Sequence, residues 1–325
     1  MEMKKVVRIG LVLAMMALCV ASAFAGGSNE SAGSPGKTYT VGICQLVQHN
    51  ALDAATKGFE DALKDKLGDS VKIIEQNASG DVATCITIVN GFVSSNVDLI
   101  MANATPALQA AQAATGDIPI LGTSVTDYGT ALGVENFTGT TGVNISGTSD
   151  LAPLDQQANM IMELFPSAKK VGMLFCSAEA NSVYQVNIIK GILESNGIEC
   201  QDFAFSDSND VSAVTANACS WSDVIYIPTD NTAASCTETI RNVVEPAKVP
   251  VVAGEEGICK GCGVATLSIS YYDLGYRTGE MAAEILGGAD VSTMPIQYAP
   301  KFTKEYNAEL CSILGVEVPE DYVAI

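Results

Sequence analysis

Thr229, Asp230 and Asn231 stand together where an apolar run, DVIYI, stops and a helix-like stretch begins. They place a hydroxyl, a carboxylate and an amide side by side. Such a set can cap a helix, because Ser, Thr, Asn and Asp accept hydrogen bonds from the free N–H groups of a first turn. It can also offer donors and acceptors to a small polar ligand. Similar chemistry recurs in QLVQHNALD with His49 and Asn50, QNASGD with Asn77, ANATPA with Ala104 and Thr105, and GTSVTD with Ser124, Thr126 and Asp127. It recurs again in SAEANS with Ser177, Glu179, Asn181 and Ser182, and in GEEG with Glu255. The carboxylates Asp127, Glu179, Asp230 and Glu255 suit an ammonium group. Helix N-termini beside them suit a carboxylate. A site with both features fits a zwitterion and is poor for a polyanion.

Catalysis is a weaker reading of the same residues. His49 is the sole histidine of the chain, so no second Ser–His or Cys–His pair and no histidine cluster for a metal can be assembled. A lone loop histidine reads as a hydrogen-bonding or ligand-contacting residue. Cys259 and Cys262 have the spacing of a redox or zinc pair but lack a second pair, so they read as a local surface disulfide or as two idle thiols. No glycine-rich dinucleotide or phosphate loop follows a strand, and neither a cofactor nor a metal is expected.

These clusters need elements to hold them. Short β-branched runs alternate with helix-period segments: TYTVGIC, VKIIE, DLIM and IPIL, then KVGMLF, CQDFAF, DVIYI, PVVA and ATLSI. Near-continuous apolar strands indicate sheets covered on both faces. In ALDAATKGFEDALKDKLG, Leu52, Ala55, Phe59, Leu63 and Leu67 recur every three or four residues. Strand–helix alternation predicts an α/β fold with doubly wound parallel sheets. The rhythm runs twice, over about 38–145 and 150–270, predicting two lobes and a cleft between them. Ligands of such sheets bind beyond the C-terminal strand ends, where the polar clusters lie.

The chain has 325 residues, is 48% hydrophobic and carries a formal charge of −20. That acidity disfavours nucleic acid and anionic lipid as partners. Residues 1–25 read as a secretory signal peptide: Lys4, Lys5 and Arg8, an apolar run, then Ala23-Phe24-Ala25. Residues 26–37 read as a flexible Gly/Ser-rich tether. Export to the periplasm or cell exterior is expected, with a lipoprotein anchored through Cys19 as the alternative. Most of the cysteines beyond the leader sit in apolar runs and read as core filler.

QLVQHNALDAATKGFEDAL, QNASGD, ATPALQAA, NISGTSD, SAEANSVYQ, PTDN and ATLSISYYDLGYRTGEMAAEIL occur in an order and spacing that resembles the ABC-transporter substrate-binding proteins of the tryptophan/tyrosine type. The resemblance covers residues 38–325. It implies a type I periplasmic-binding-protein architecture: two Rossmann-like lobes, three crossings and a ligand enclosed by hinge closure. With the crossings placed by that resemblance, lobe 1 takes 38–148 plus 272–294 and lobe 2 takes 149–271 plus 295–325. It implies no enzyme, an amino-acid ligand, most simply an aromatic one, a membrane ABC permease as partner, and a monomer. The strand ends and the resemblance together place the ligand among His49, Asn77, Ala104, Thr105, Ser124, Thr126, Asp127, Glu179, Asn181, Ser182, Thr229, Asp230, Asn231 and Glu255. Tyr128, Tyr184 and Tyr271 are candidates for an aromatic slot. Asn50, the long ALGVENFTGTTG approach and the Cys259/Cys262 pair depart from the pattern. The rivals are another solute (a sugar, a purine or a branched amino acid), a sensory subunit, and an α/β enzyme using Cys259 or Cys262.

Overall fold

The computed structural model describes residues 37–325. The expected leader, and the tether up to residue 36, lie outside the described residues. Six parallel strands form the first sheet: β1 (Tyr39–Gln45), β2 (Val71–Asn77), β3 (Leu99–Asn103), β4 (Ile120–Val125), β5 (Ile145–Ser149) and the short β11 (Gln297–Tyr298), in the order β11-β5-β4-β3-β1-β2. Between them run α1 (Asn50–Leu67), α2 (Val82–Ser94), α3 (Thr105–Ala114) and α4 (Tyr128–Leu132).

The second sheet has the order β13-β12-β10-β9-β8-β6-β7. Its strands are β6 (Lys170–Cys176), β7 (Glu199–Phe205), β8 (Val224–Ile227), β9 (Val251–Ala253), β10 (Ala265–Ser268), β12 (Thr303–Tyr306) and β13 (Val323–Ala324). Its helices are α5 (Leu154–Leu164), α6 (Ala180–Ser195), α7 (Val211–Trp221), α8 (Asn231–Ser235), α9 (Thr237–Ala247), α10 (Glu256–Cys262) and α12 (Ala308–Leu314). β12 runs antiparallel to β10, so this sheet is not wholly parallel.

The chain passes between the sheets three times: after β5, after β10 into α11 (Tyr271–Leu286), and between β11 and β12. Gln297 and Tyr298 pair with Thr148 and Ser149 of the first sheet, which corrects the assignment of the whole of 295–325 to the second lobe. Two-residue pairing of this kind is decided by what lies alongside, and carries no period of its own.

Each sheet is buried because its strands are apolar on both faces. Val41, Ile43, Leu99, Met101 and Leu121 pack with Phe59 and Leu63 of α1 on one side of the first sheet. Cys44, Ile100, Ala102 and Ile120 pack with Phe92, Leu108 and Tyr128 on the other. Val171, Met173 and Tyr226 anchor one face of the second sheet, and Leu174, Ile225 and Val251 the other. At the junction, α1 and α11 cross at glycine. A Cβ at Gly275 would fall on the Ala55 carbonyl, and one at Gly58 on the Tyr272 carbonyl. A Cβ at Gly279 would meet Phe59 O and the Ala62 methyl at 2.6 Å. The helices approach that closely only because these side chains stop at hydrogen.

Candidate functional site

The strand ends of both sheets face each other across a narrow cavity of about 10 Å³, room for roughly one water. His49, Ser124, Thr126, Asn181, Thr229, Asp230, Asn231 and Glu255 line it together with Ala51, Leu52, Ala234, Asp150 and Tyr271. Two contacts bridge the lobes here. The hydroxyls of Thr126 and Thr229 lie 3.3 Å apart, and His49 Nε2 lies 3.2 Å from Asn231 Oδ1. The lobes are therefore closed on each other.

The second-lobe wall is built mostly from saturated groups, with Asn181 Oδ1 as the exception. Asp230 Oδ1 accepts from Ala233 N–H at 2.8 Å, capping α8. Its Oδ2 accepts from the Cys176 N–H at 2.6 Å and the Ser182 hydroxyl at 2.7 Å. Thus Asp230 ties the ends of β6 and β8 to the start of α6. Glu179 does the same at larger scale. Its Oε2 accepts from Asn231 N–H, Asn231 Nδ2 and Asn181 Nδ2, and its Oε1 from Thr232 N–H and hydroxyl, at 2.6 to 3.1 Å. Gln185 donates to Thr229 Oγ1 at 2.6 Å and accepts from Thr229 N–H. Burial, then the neighbouring Glu179 charge, pushes the Asp230 carboxyl up to about 8. Three donors pull it partway back.

The first-lobe wall and the crossing are different. Asp150, at the first crossing, is 5% exposed. Its Oδ2 accepts from the Tyr271 hydroxyl at 2.9 Å, whereas Oδ1 has no hydrogen-bond partner among the described residues. Ser124 Oγ and Thr105 Oγ1 are likewise buried and unpartnered, as is Asn181 Oδ1 on the second-lobe side. A buried polar atom without a partner costs about 1–3 kcal/mol, so three lining one cavity, those of Asp150, Ser124 and Asn181, mark a site that something else completes. The backbone is strained there as well: Ser124 has φ +53° and Ala104 φ +92°. Strain of this kind clusters where a chain is held for a ligand.

Charge in the cavity is one-sided. Burial pushes the Asp150 carboxyl above the usual carboxylate range, and the Tyr271 and Thr126 hydroxyls offset part of that. Burial likewise takes Glu255 up to about 7, against the pull of two N–H groups of α10 that it caps. Burial lowers the His49 pKa, so the ring stays neutral, with Asn231, Glu179 and Asp53 opposing. A cation is the group this set accepts best.

Some expected residues stand outside the cavity wall. Asn77 is exposed at the end of β2, where its Oδ1 accepts from Ser79 N–H at 2.8 Å and shapes the loop. Asp127 caps α4 through Thr130 N–H at 2.7 Å. Ser182 acts through Asp230, Glu179 stands just outside the cavity, and Ala104 and Thr105 start α3 behind it. Tyr128 is in the first-lobe core, and Tyr184 packs against the second-lobe core. Cys259 and Cys262 are both buried and free, so the surface disulfide is not formed. Both face the apolar core on one side of α10, and burial raises both thiols far above their usual value. Sequence reading missed Asp150. It stands in the NISGTSD stretch at a strand end, but its hydroxyl partner, Tyr271, is 121 residues further on. No helix among the described residues is long and apolar enough to cross a membrane, and no cluster of three or more ligating side chains among them could hold a metal.

Two α/β lobes, three crossings and a closed polar cavity at the strand ends define the type I periplasmic-binding-protein fold. The chain belongs to the family of ABC transporter substrate-binding proteins, whose model matches residues 40–324. It is 38% identical over 290 residues to a tyrosine-binding protein of Clostridioides difficile, covering 88% of this chain and 84% of that one. It is similar to the structure of an ABC domain in complex with L-Trp from Streptococcus pneumoniae, with TM-score 0.84, 31% identity, and coverage of 87% and 97%. It is also similar to the ligand-free, open structure of a substrate-binding protein with adhesive properties from Clostridium difficile, with TM-score 0.67, 36% identity, and coverage of 89% and 99%. These homologues are substrate-binding proteins, and such proteins of ABC systems act outside the cytoplasm.

Proposed function

We propose that this protein binds a small zwitterion, an aromatic amino acid, between its lobes by hinge closure, and presents it to the membrane permease of an ABC importer. The observation that carries the reading is Asp150 Oδ1, buried in the interlobe cavity with no protein partner among the described residues. An α-ammonium group would complete that carboxylate with a charge-assisted hydrogen bond. Asn181 Oδ1 would accept a second N–H of the ammonium group, and the Ser124 hydroxyl would donate to the ligand carboxylate. Asp230, whose three donors all belong to its own lobe, holds the wall in place. The aromatic class follows the relatives, one a tyrosine-binding protein and another solved with L-Trp.

Closure is supported by the same comparisons. The open ligand-free relative is the more similar in sequence, 36% against 31%, yet the less similar in shape, 0.67 against 0.84. The present lobe arrangement therefore sides with the L-Trp complex. A monomer exported to the periplasm or cell exterior, free or lipid-anchored, fits this role.

Calorimetric titration of the refolded, ligand-free domain with the twenty amino acids and a few sugars tests the reading. Saturation by an aromatic amino acid is the expected result. A response to a sugar alone would discard the zwitterion and keep the fold.

A further inference from the structure

A larger pocket lies at the crossings. It measures about 500 Å³ and shares no lining residue with the interlobe cavity. α11 lines it with Asp273, Leu274 and Arg277, and the third crossing lines it with Tyr298, Ala299, Pro300 and Lys301. Leu274, Ala299, Pro300 and the Tyr298 ring, 56% exposed, give it an apolar body. Its charge is the reverse of the chain's. Lys301 is exposed and has no ion-pair partner among the described residues. Arg277 makes both of its ion pairs through Nη1 within its own helix, to Glu280 at 3.1 Å and Glu284 at 3.5 Å. Asp273 is the one carboxylate among the lining residues.

We propose that this pocket is a second ligand site, for a small monocarboxylate with an apolar body, and that its occupant favours the closed lobes. Small-molecule pockets of about 300–1,000 Å³ pair apolar walls with a few polar groups, as this one does. Two cations against one carboxylate fit a single negative charge and disfavour both a dianion and an amine. In a chain of formal charge −20, most of the surface repels an anion, which sets this place apart. The preference for closed lobes rests on the hinge closure proposed above. The pocket joins α11, entered by the second crossing, to the third crossing, and it exists with the lobes closed. An occupant fitted to that shape loses contacts when the crossings move, so it binds the closed arrangement better. Thr148 of its lining stands two residues before Asp150, and Ser270 stands next to Tyr271. Both ends of the Asp150–Tyr271 hydrogen bond are thus anchored beside it. By reciprocity, the carboxylate and the amino acid tighten each other.

Octanoate and its neutral counterpart octanamide are titrated into the refolded, ligand-free parent, Arg277→Gln and Lys301→Gln. Neither side chain is buried, and the unfolding midpoint of each variant checks that the fold is kept. Saturable binding of one octanoate, about fivefold tighter than octanamide, is expected, and each substitution should remove most of that difference. Tyrosine or tryptophan, whichever binds the parent more tightly, is then titrated with octanoate present. Its dissociation constant should fall about fivefold in the parent and much less in Arg277→Gln. No octanoate binding, binding that octanamide matches, or binding indifferent to both substitutions overturns the site. An unchanged amino-acid affinity overturns the preference for closed lobes. A weakened one puts octanoate in the cleft and overturns the site. A parent that binds no amino acid overturns the function proposed above, and the preference for closed lobes with it, while the octanoate comparison still decides the site.

Discussion

The two walls of the cleft carry similar residue types and use them in opposite ways. On the second-lobe wall, every oxygen of Glu179 and Asp230 is taken by donors of that lobe. On the first-lobe wall and the crossing, Ser124, Thr105 and Asp150 keep buried atoms without partners, and the backbone at Ala104 and Ser124 is strained. Apart from Asn181 Oδ1, one wall is a finished plate, and the other is complete only with something between the lobes. Polar density alone therefore does not identify a ligand group. Whether the neighbours have already consumed its hydrogen-bonding capacity does.

Substitutions should separate the walls. Glu179→Ala removes the acceptor for five donors, most of them buried, and is expected to cost about 3 kcal/mol of stability in urea unfolding. A loss below about 1 kcal/mol would mean the plate is held by something else. Asp150→Ala should leave stability nearly unchanged and weaken amino-acid binding by about a hundredfold, the loss of one charge-assisted bond in a buried site. An affinity within threefold of the parent in calorimetry would remove Asp150 from the ligand. Ser124→Gly should split the two properties. The φ of +53° is free for glycine, so the midpoint should rise, by about 0.5–1 kcal/mol in stability, while ligand affinity falls severalfold. Movement of both in one direction would contradict the assignment.

The smallest effect is on pH. Glu255 and Asp230 have folded values of about 7 and about 8, above their unfolded ones, so the ligand-free fold binds more protons than the unfolded chain. Their contribution is lost as pH rises from the ordinary carboxylate range through those values. His49 acts oppositely, since its lowered value lets the unfolded chain take the proton first as pH falls below the usual histidine range. The ligand-free protein should therefore unfold at a higher temperature at pH 6 than at pH 8. The gain on adding ligand should be larger at pH 8, where the carboxylates around a cation are ionised. A ligand-induced shift that shrinks at pH 8 would place the cation elsewhere.

The strands were legible from apolar runs because both faces of each central strand are buried. β11 and β13 were not, since two residues in a ladder leave no pattern. Five of the seven polar clusters at strand ends line the cavity, and all seven were readable in order. The division of labour among them was not. Asp127, Asp230 and Glu255 all look like helix caps in sequence, and all three are. Only their other neighbours show that Asp127 stands off the cavity and Asp230 is saturated. Asp150 stayed hidden because its significance is an absence of partners, which depends on residues far along the chain.

The glycine crossing of α1 and α11 gives the molecule a stiff lever. Tyr271 opens α11, and its hydroxyl grips Asp150, so the site's hydroxyl rides on a rod seated on the first lobe. In the proposed closure, a displacement of that rod would be delivered to the carboxylate with little slack. A single methyl at position 275, remote from any ligand atom, would thus be expected to detune the site by changing the seating of the rod rather than its chemistry.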